Sequence, residues 1–327
     1  MRIFLFKIMQ RTAEFVSPGH PDKICDIIAD CLLDKYLEVD SFARCAIEVL
    51  GGHGLIVVNG EVTSSAQVDI ETEVKKIVGV DYKVISNLVR QSPEIARGVD
   101  TGGAGDQGIM VGYACSETPT LMPLEYELAR NLCKEIYAVY PYDGKTQVTV
   151  ESRPESEGGG MKITTVVASF QNTKTPELLK LVQEKINSEK YIINPAGEWS
   201  LGGFDADTGL SGRKIVIDNY GPRVGVGGGS FSGKDYTKVD RSGAYMARRI
   251  AVDLLRQHSA KEVLVHLAYA IGIREPVMAT AFLDGKETPV SGYDLTPKGI
   301  HEHLDLKNVK YADLARFGHH GRGNTWD

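Results

Sequence analysis

The chain has 327 residues, 42% hydrophobic and 24% charged, with a formal net charge of −6 at pH 7. That length exceeds one ordinary domain, and the balance excludes a disordered, collagen-like or low-complexity chain. An acidic protein of pI near 5.8 has no global attraction for nucleic acid or an anionic membrane, so any anion it binds must meet a local basic cluster.

The cysteines (Cys25, Cys31, Cys45, Cys115, Cys133) are odd in number and scattered, with no CxxC pair. This predicts reduced thiols in a cytoplasmic protein. The opening MRIFLFKIM, interrupted by Lys7, is too short for a signal peptide, and no apolar run reaches membrane-spanning length.

In chain order, Ile24, Ile27, Ile28, Cys31, Leu32 and Tyr36 recur at helical spacing after Pro21, predicting an amphipathic helix with proline in its first turn. GHPD (residues 19–22) then sits at a helix N-terminus. There His20 and Lys23 can face an anion, while Asp22 is equally natural as a cap. Residues 55–58 read as a strand, Asn59-Gly60 as a hairpin turn and residues 61–63 as the returning strand. A second hairpin is expected from residues 146–151 to 163–170, with the acidic, glycine-rich ESEGGG (155–160) as its turn. Helical patterns cover residues 124–139, 176–187 and 242–258, and KIVID (214–218) and EVLVH (262–266) read as strands. Strand pairs and helices alternate three times without a strict βαβ rhythm, which predicts an α+β chain of three similar units. No sequence motif recurs at a fixed interval.

Residues 202–241 combine many glycines with Arg213, Lys214, Arg223, Lys234, Lys238 and Arg241. Such a stretch lets backbone N–H groups and cations approach a polyphosphate, or it forms a mobile surface loop. GGSFSGK (228–234) nearly meets the Walker A pattern, but Asp235 stands where Ser or Thr should follow. Asp207, Asp218, Asp235 and Asp240 are candidates for magnesium, which prefers carboxylates and phosphate oxygens, or are solvated turn residues. Asp106 in GAGDQG (103–108) poses the same choice. His53, His258, His266, His301, His303, His319 and His320 form no metal spacing.

FVSPGHPDKICDIIADCLLD, NGEVTSSAQVDI, RQSPEIARGVD, GAGDQGIMVGYA, DGKTQVTVE, DTGLSGRKIVIDNYG, GGGSFSGKDYTKVDRSGAYMARRIA and YAIGIREP, in this order, resemble the signature of the S-adenosylmethionine synthase family. The resemblance runs from about Glu14 to about Pro276, which makes Met9 a candidate start. It implies an α+β fold of three similar α/β-sandwich subdomains, each a mixed sheet with helices on one face, related by pseudo-threefold symmetry. The expected domains are residues 11–98, 102–200 and 201–327.

The same resemblance implies that the chain joins ATP to L-methionine and hydrolyses the tripolyphosphate product to pyrophosphate and phosphate. His20, Lys145, Asp207, Arg213, Lys214 and Lys234 would contact ATP, with Asp143, Gly144, Glu198, Trp199 and Ser230 lining its site. Asp22 and Asp240 would bind Mg2+ and Glu48 an activating K+. Glu61, Gln91, Lys238 and Asp207 would lie at the methionine end, and Asp106 falls in a motif of the active site. The family implies a homodimer or homotetramer with the active site between subunits.

Several positions depart from the family pattern. Pro18 replaces the usual Glu before GHPDK, residues 101–104 stand for a longer gating loop, Trp199 follows Glu198 where the adenine-stacking aromatic is usually Phe, and Gln171-Asn172 replaces Gln-His. Two other readings are a catalytically weakened paralogue acting as a regulatory subunit, against which the retained cations argue, and a tripolyphosphatase or nucleotide-binding protein, against which Glu61, Gln91 and Lys238 argue.

Overall fold

The computed structural model describes residues 9–153 and 159–327. The segment before Met9 and part of the ESEGGG turn lie outside these residues. The chain divides into two compact units, residues up to His20 with Leu124–Gly203, and Pro21–Pro123 with Phe204–Asp327.

The first unit holds one sheet in the order β1-β6-β7-β8, from β1 (Gln10–Val16), β6 (Gly144–Ser152), β7 (Met161–Phe170) and β8 (Lys190–Ile193). The long helix α4 (Leu124–Val139) packs on β1 and β6, and α5 (Thr175–Lys185) carries the chain from β7 to β8. Alternation along β6 buries Val148 and Val150 beneath α4's Tyr126, Ala129, Cys133 and Ile136. Phe15 meets Tyr126 edge-on, with ring centroids 5.7 Å apart, and full burial of each such side chain stabilises the fold by about 1.5–3 kcal/mol.

The second unit holds two sheets. One has the order β4-β3-β2-β9, built from β2 (Arg44–Gly52), β3 (Leu55–Thr63), β4 (Lys83–Val89) and β9 (Gly209–Leu210), with α1 (Pro21–Val39) packed on β2 and α2 (Ile70–Val78) linking β3 to β4. The other has the order β12-β11-β10-β5, from β5 (Gly108–Cys115), β10 (Glu262–Tyr269), β11 (Met278–Leu283) and β12 (Lys286–Pro289), with α7 (Val239–His258) lying on β5 and β10. Gly112 permits that approach, since a Cβ there would fall 2.0 Å from the Ala247 carbonyl oxygen.

Three similar units are therefore present as a repeat of topology. Each long helix (α1, α4, α7) is followed by three strands of one sheet, and each sheet borrows its fourth strand, β9, β1 or β5, from elsewhere in the chain. The expectation that every sheet is mixed holds for two of them. α2 and α5 are crossovers that let β3–β4 and β7–β8 pair in parallel, whereas β11 and β12 are joined by Asp284-Gly285, both at positive φ, a tight turn that forces antiparallel pairing. The third sheet is accordingly antiparallel throughout.

Two local expectations fail. Asn59-Gly60 is no turn: β3 runs unbroken from Leu55 to Thr63, and the β2–β3 hairpin closes at His53-Gly54, with φ of 51° and 79°. Gly60 has a different purpose, since a Cβ there would lie 2.1 Å from the Ala46 carbonyl oxygen. KIVID forms not a strand but the short helix α6 (Ile215–Asp218), because the Asp218 carboxylate is drawn onto buried Lys23. α3 (Pro93–Asp100), α8 (Pro297–His303) and α9 (Tyr311–Phe317) complete the α-helices among the described residues.

Candidate functional site

In the first unit, β1–β6 pairing sets Val16 opposite Lys145. The chain then turns sharply: Ser17 N donates to the Gly144 carbonyl at 2.9 Å and Ser17 Oγ to the Tyr142 carbonyl at 2.8 Å. Gly19 passes so close that a Cβ would sit 2.6 Å from the Tyr142 carbonyl carbon, so His20, Asp143, Gly144 and Lys145 converge. Asp143 accepts from Gly203 N at 3.1 Å. Lys145 faces Ser169 across β6–β7, and Ser169 Oγ accepts from the Trp199 indole at 3.1 Å, which fixes the indole on the same side. Glu198 does not share this cluster by its side chain; its carboxylate takes Lys174 Nζ at 2.8 Å and Thr175 N at 2.9 Å, at the start of α5. Asn172 stands at φ 60°, a left-handed position asparagine tolerates better than most residues.

In the second unit, α1 carries Asp22, Asp26, Asp30 and Asp34 at four-residue spacing, one above another along a buried face. Each ties down a distant loop. Asp22 Oδ1 accepts from Leu210 N at 2.9 Å, with Arg213 Nε at 3.5 Å, while Asp22 Oδ2 receives Lys214 Nζ. Asp26 accepts from Gly212 N at 2.9 Å, Asp30 from Gly233 N at 2.8 Å, and Asp34 from Tyr311 N and Ala312 N at 3.0 and 3.1 Å. Burial pushes the Asp34 carboxyl up to about 6, against those two N–H donors.

Asp26, Asp30 and Asp34 were missed by the motif reading, although their period of four is plain in ICDIIADCLLD. Lys23, expected to face an anion, is wholly buried between Asp218 (2.6 Å) and Asp26 (3.0 Å). Burial opposes its charge, but these two carboxylates outweigh that and hold its pKa above the ordinary lysine range.

The glycine-rich stretch is no Walker loop. It runs beside β2, with Ala46 bridged to Lys234 and Ile47 N donating to the Gly233 carbonyl at 3.0 Å. Lys234 Nζ reaches Asp240 at 2.8 Å, and Ser230 lies against Gly212. Of the four acidic candidates in this region, Asp218 is spent on Lys23 and Asp235 on Cys45 N, Thr237 N and Lys238 Nζ. Asp207 and Asp240 remain near the surface, Asp207 accepting from Thr208 N at 2.7 Å.

Glu48, exposed on β2, accepts from Ser211 Oγ at 2.5 Å. Glu61 sits on β3 beside Val89 of β4, and Gln91 is buried with its amide oxygen lacking a hydrogen-bond partner. Asp106 is exposed, accepting from Gln107 N at 2.7 Å. A cavity of about 850 Å³ opens beside Arg44, Val62, Arg90, Val99, Gly103 and Tyr236; Val62 follows Glu61, Arg90 precedes Gln91 and Tyr236 lies two residues before Lys238.

Comparison with known proteins decides the family. The N-terminal, central and C-terminal domains of S-adenosylmethionine synthetase match residues 8–96, 101–199 and 201–327. The chain belongs to the S-adenosylmethionine synthetase family. An S-adenosylmethionine synthase from Desulforudis audaxviator is 41% identical over 371 residues, covering 96% of this chain and 93% of that protein. One from Mycoplasmopsis pulmonis is 41% identical over 352 residues, covering 95% and 93%. The solved structure of an unusual S-adenosylmethionine synthetase from Campylobacter jejuni superposes with a TM-score of 0.86 at 32% identity, covering 97% of this chain and 96% of that one.

Membership in the S-adenosylmethionine synthetase family carries metal dependence in general terms. Among the described residues, no three His, Cys, Asp or Glu side chains gather as a metal cage, Asp22, Asp240 and Glu48 included. The donor set still suits magnesium, which keeps several waters and takes one or two carboxylates plus substrate phosphates. The backbone at Gly229 leaves room for this: a Cβ there would strike Asp240 Oδ1 at 2.1 Å. No helix among the described residues is long and apolar enough to cross a membrane.

Proposed function

We propose that this chain is a methionine adenosyltransferase: it transfers the adenosyl group of ATP to the sulfur of L-methionine and then hydrolyses tripolyphosphate to pyrophosphate and phosphate. The observation that carries the reading is the pairing of two candidate phosphate cations with the two candidate magnesium carboxylates, Lys214 with Asp22 and Lys234 with Asp240.

The thioether sulfur has no proton to lose, so attack at C5′ needs no general base. The barrier lies in the leaving tripolyphosphate, which gathers negative charge as the C5′–O bond breaks, and preorganised cations stabilise charge that develops in the transition state. His20, Lys145, Arg213, Lys214 and Lys234 are assigned to that charge, and they hold the tripolyphosphate for its hydrolysis. Asp22 and Asp240 would hold magnesium, which supplies further neutralisation of the phosphate oxygens. Potassium would sit at Glu48, an exposed carboxylate suited to a weakly held monovalent ion. Trp199 offers a face for adenine, with Asp143, Gly144, Glu198 and Ser230 around the nucleotide and Asp207 shared with methionine. Gln91, whose buried amide oxygen is unpartnered, suits the methionine ammonium, beside Glu61 and Lys238. Asp106 completes the catalytic set. Orienting sulfur in line with C5′ supplies much of the remaining rate.

Domain boundaries at 11–98, 102–200 and 201–327, a homodimer or homotetramer, and a cytoplasmic location belong to the same reading. The test is incubation with ATP, methionine, Mg2+ and K+, with the product identified by mass. S-adenosylmethionine is expected; phosphate release from tripolyphosphate without it would leave a tripolyphosphatase instead.

A further inference from the structure

Lys234 is gripped by its backbone as well as by its side chain. Asp30 Oδ1 accepts from the N–H of Gly233 at 2.8 Å, and Arg241 Nη1 donates to the Lys234 carbonyl at 3.0 Å. The two clamping side chains lock each other: Arg241 Nη2 donates to both Asp30 oxygens, at 2.8 and 2.6 Å. Both are fully buried, and the Tyr311 ring lies 4.6 Å from the guanidinium. On the loop's other side Gly233, at φ 78°, presses onto β2 so tightly that a Cβ would lie 2.0 Å from the Ile47 carbonyl oxygen.

A buried ion pair is a weak source of stability, because well-packed apolar residues of equal volume often do as well. What an apolar pair cannot do is hold a backbone N–H on one side of a residue and a carbonyl on the other. We infer that Asp30 and Arg241 are positioning residues that set the height and direction from which Lys234 meets a polyphosphate. This rests on the reading that Lys234 grips the tripolyphosphate.

The test is tripolyphosphate affinity by calorimetry on the full chain, for Lys234→Ala, Asp30→Asn and the double variant, with KM for methionine alongside. Because losing a partner that orients a ligating group typically costs about 10- to 100-fold, Asp30→Asn is expected to weaken tripolyphosphate binding by that much with the methionine KM unchanged. The double variant should bind no worse than Lys234→Ala, since residues acting through one another are not additive. Multiplying losses, or a normal affinity in Asp30→Asn, would overturn the inference while leaving Lys234's role intact. An unchanged affinity in Lys234→Ala would instead remove the reading on which it rests. If Asp30→Asn fails to fold by circular dichroism, Arg241→Lys serves: it keeps the buried charge and loses the bond to the Lys234 carbonyl, so its weaker binding supports the clamp and a wild-type affinity sinks it.

Discussion

Lys234 Nζ lies 2.8 Å from Asp240 Oδ2, joining the end of the glycine-rich loop to the first turn of α7. Cation and carboxylate are assigned to opposite partners of one ligand, the phosphate chain and its magnesium. Replacing each should therefore produce different defects. Lys234→Ala is expected to lower kcat by about 10²- to 10³-fold without shifting the Mg2+ dependence. Asp240→Asn and Asp22→Asn should instead raise the Mg2+ concentration needed for half-maximal rate, about 10-fold or more. Asp22→Asn retains a side-chain oxygen that can accept from Leu210 N, so that variant should keep its fold. Mg2+ titrations that superpose on wild type would remove both carboxylates from the metal assignment.

Trp199 is anchored through its indole N–H to Ser169, next to Lys145 across β6–β7. Loss of its face should weaken ATP by about 1–2 kcal/mol, within the range for a base stacked on an aromatic side chain. Trp199→Ala is expected to raise KM for ATP roughly 5- to 30-fold and KM for methionine less. The opposite ranking in steady-state kinetics would count against adenine stacking.

Gly60 and Asn59 make a contrasting pair. Gly60→Ala drives a methyl into the Ala46 carbonyl and should cost about 1–3 kcal/mol, displacing neighbouring Glu61. Asn59 is exposed and donates nothing to a turn; it accepts from Asn87 at 2.9 Å, so Asn59→Ala should stay within about 0.5–1 kcal/mol of wild type. Thermal melts of the two variants that coincide would contradict the close approach.

Asp34 gives a pH signature. Burial raises its carboxyl to about 6 from 3.8, so between those values the folded chain holds a proton that the unfolded chain has released. The sign follows: stability associated with this group is full below about 4 and is lost as pH rises through about 6. Asp34→Asn removes the titration, so its melting temperature relative to wild type should rise between pH 4 and pH 7, by the equivalent of about 1–3 kcal/mol. A constant difference across that range would show that Asp34 titrates normally.

Much was legible in the sequence because it is local. The 3.6-residue pattern gave α1, α4 and α7 nearly to their ends, and the ordered motifs named the family. What misled was local chemistry answering a distant demand. Asn59-Gly60 has the composition of a turn, yet its glycine is required by the Ala46 carbonyl. KIVID has the composition of a strand, yet buried Lys23 draws Asp218 into a helix. The period of four in Asp22, Asp26, Asp30 and Asp34 stood in the sequence, but its meaning lay in N–H groups some 180 to 280 residues away. The residues by themselves determined the helices, the family and the list of chemical groups. The tertiary structure alone decided which strand each sheet borrows, that Lys23 is a buried counter-ion, and that Asp30 and Arg241 hold Lys234. Those outcomes depend on which polar groups lose water together, a quantity that no window of sequence contains.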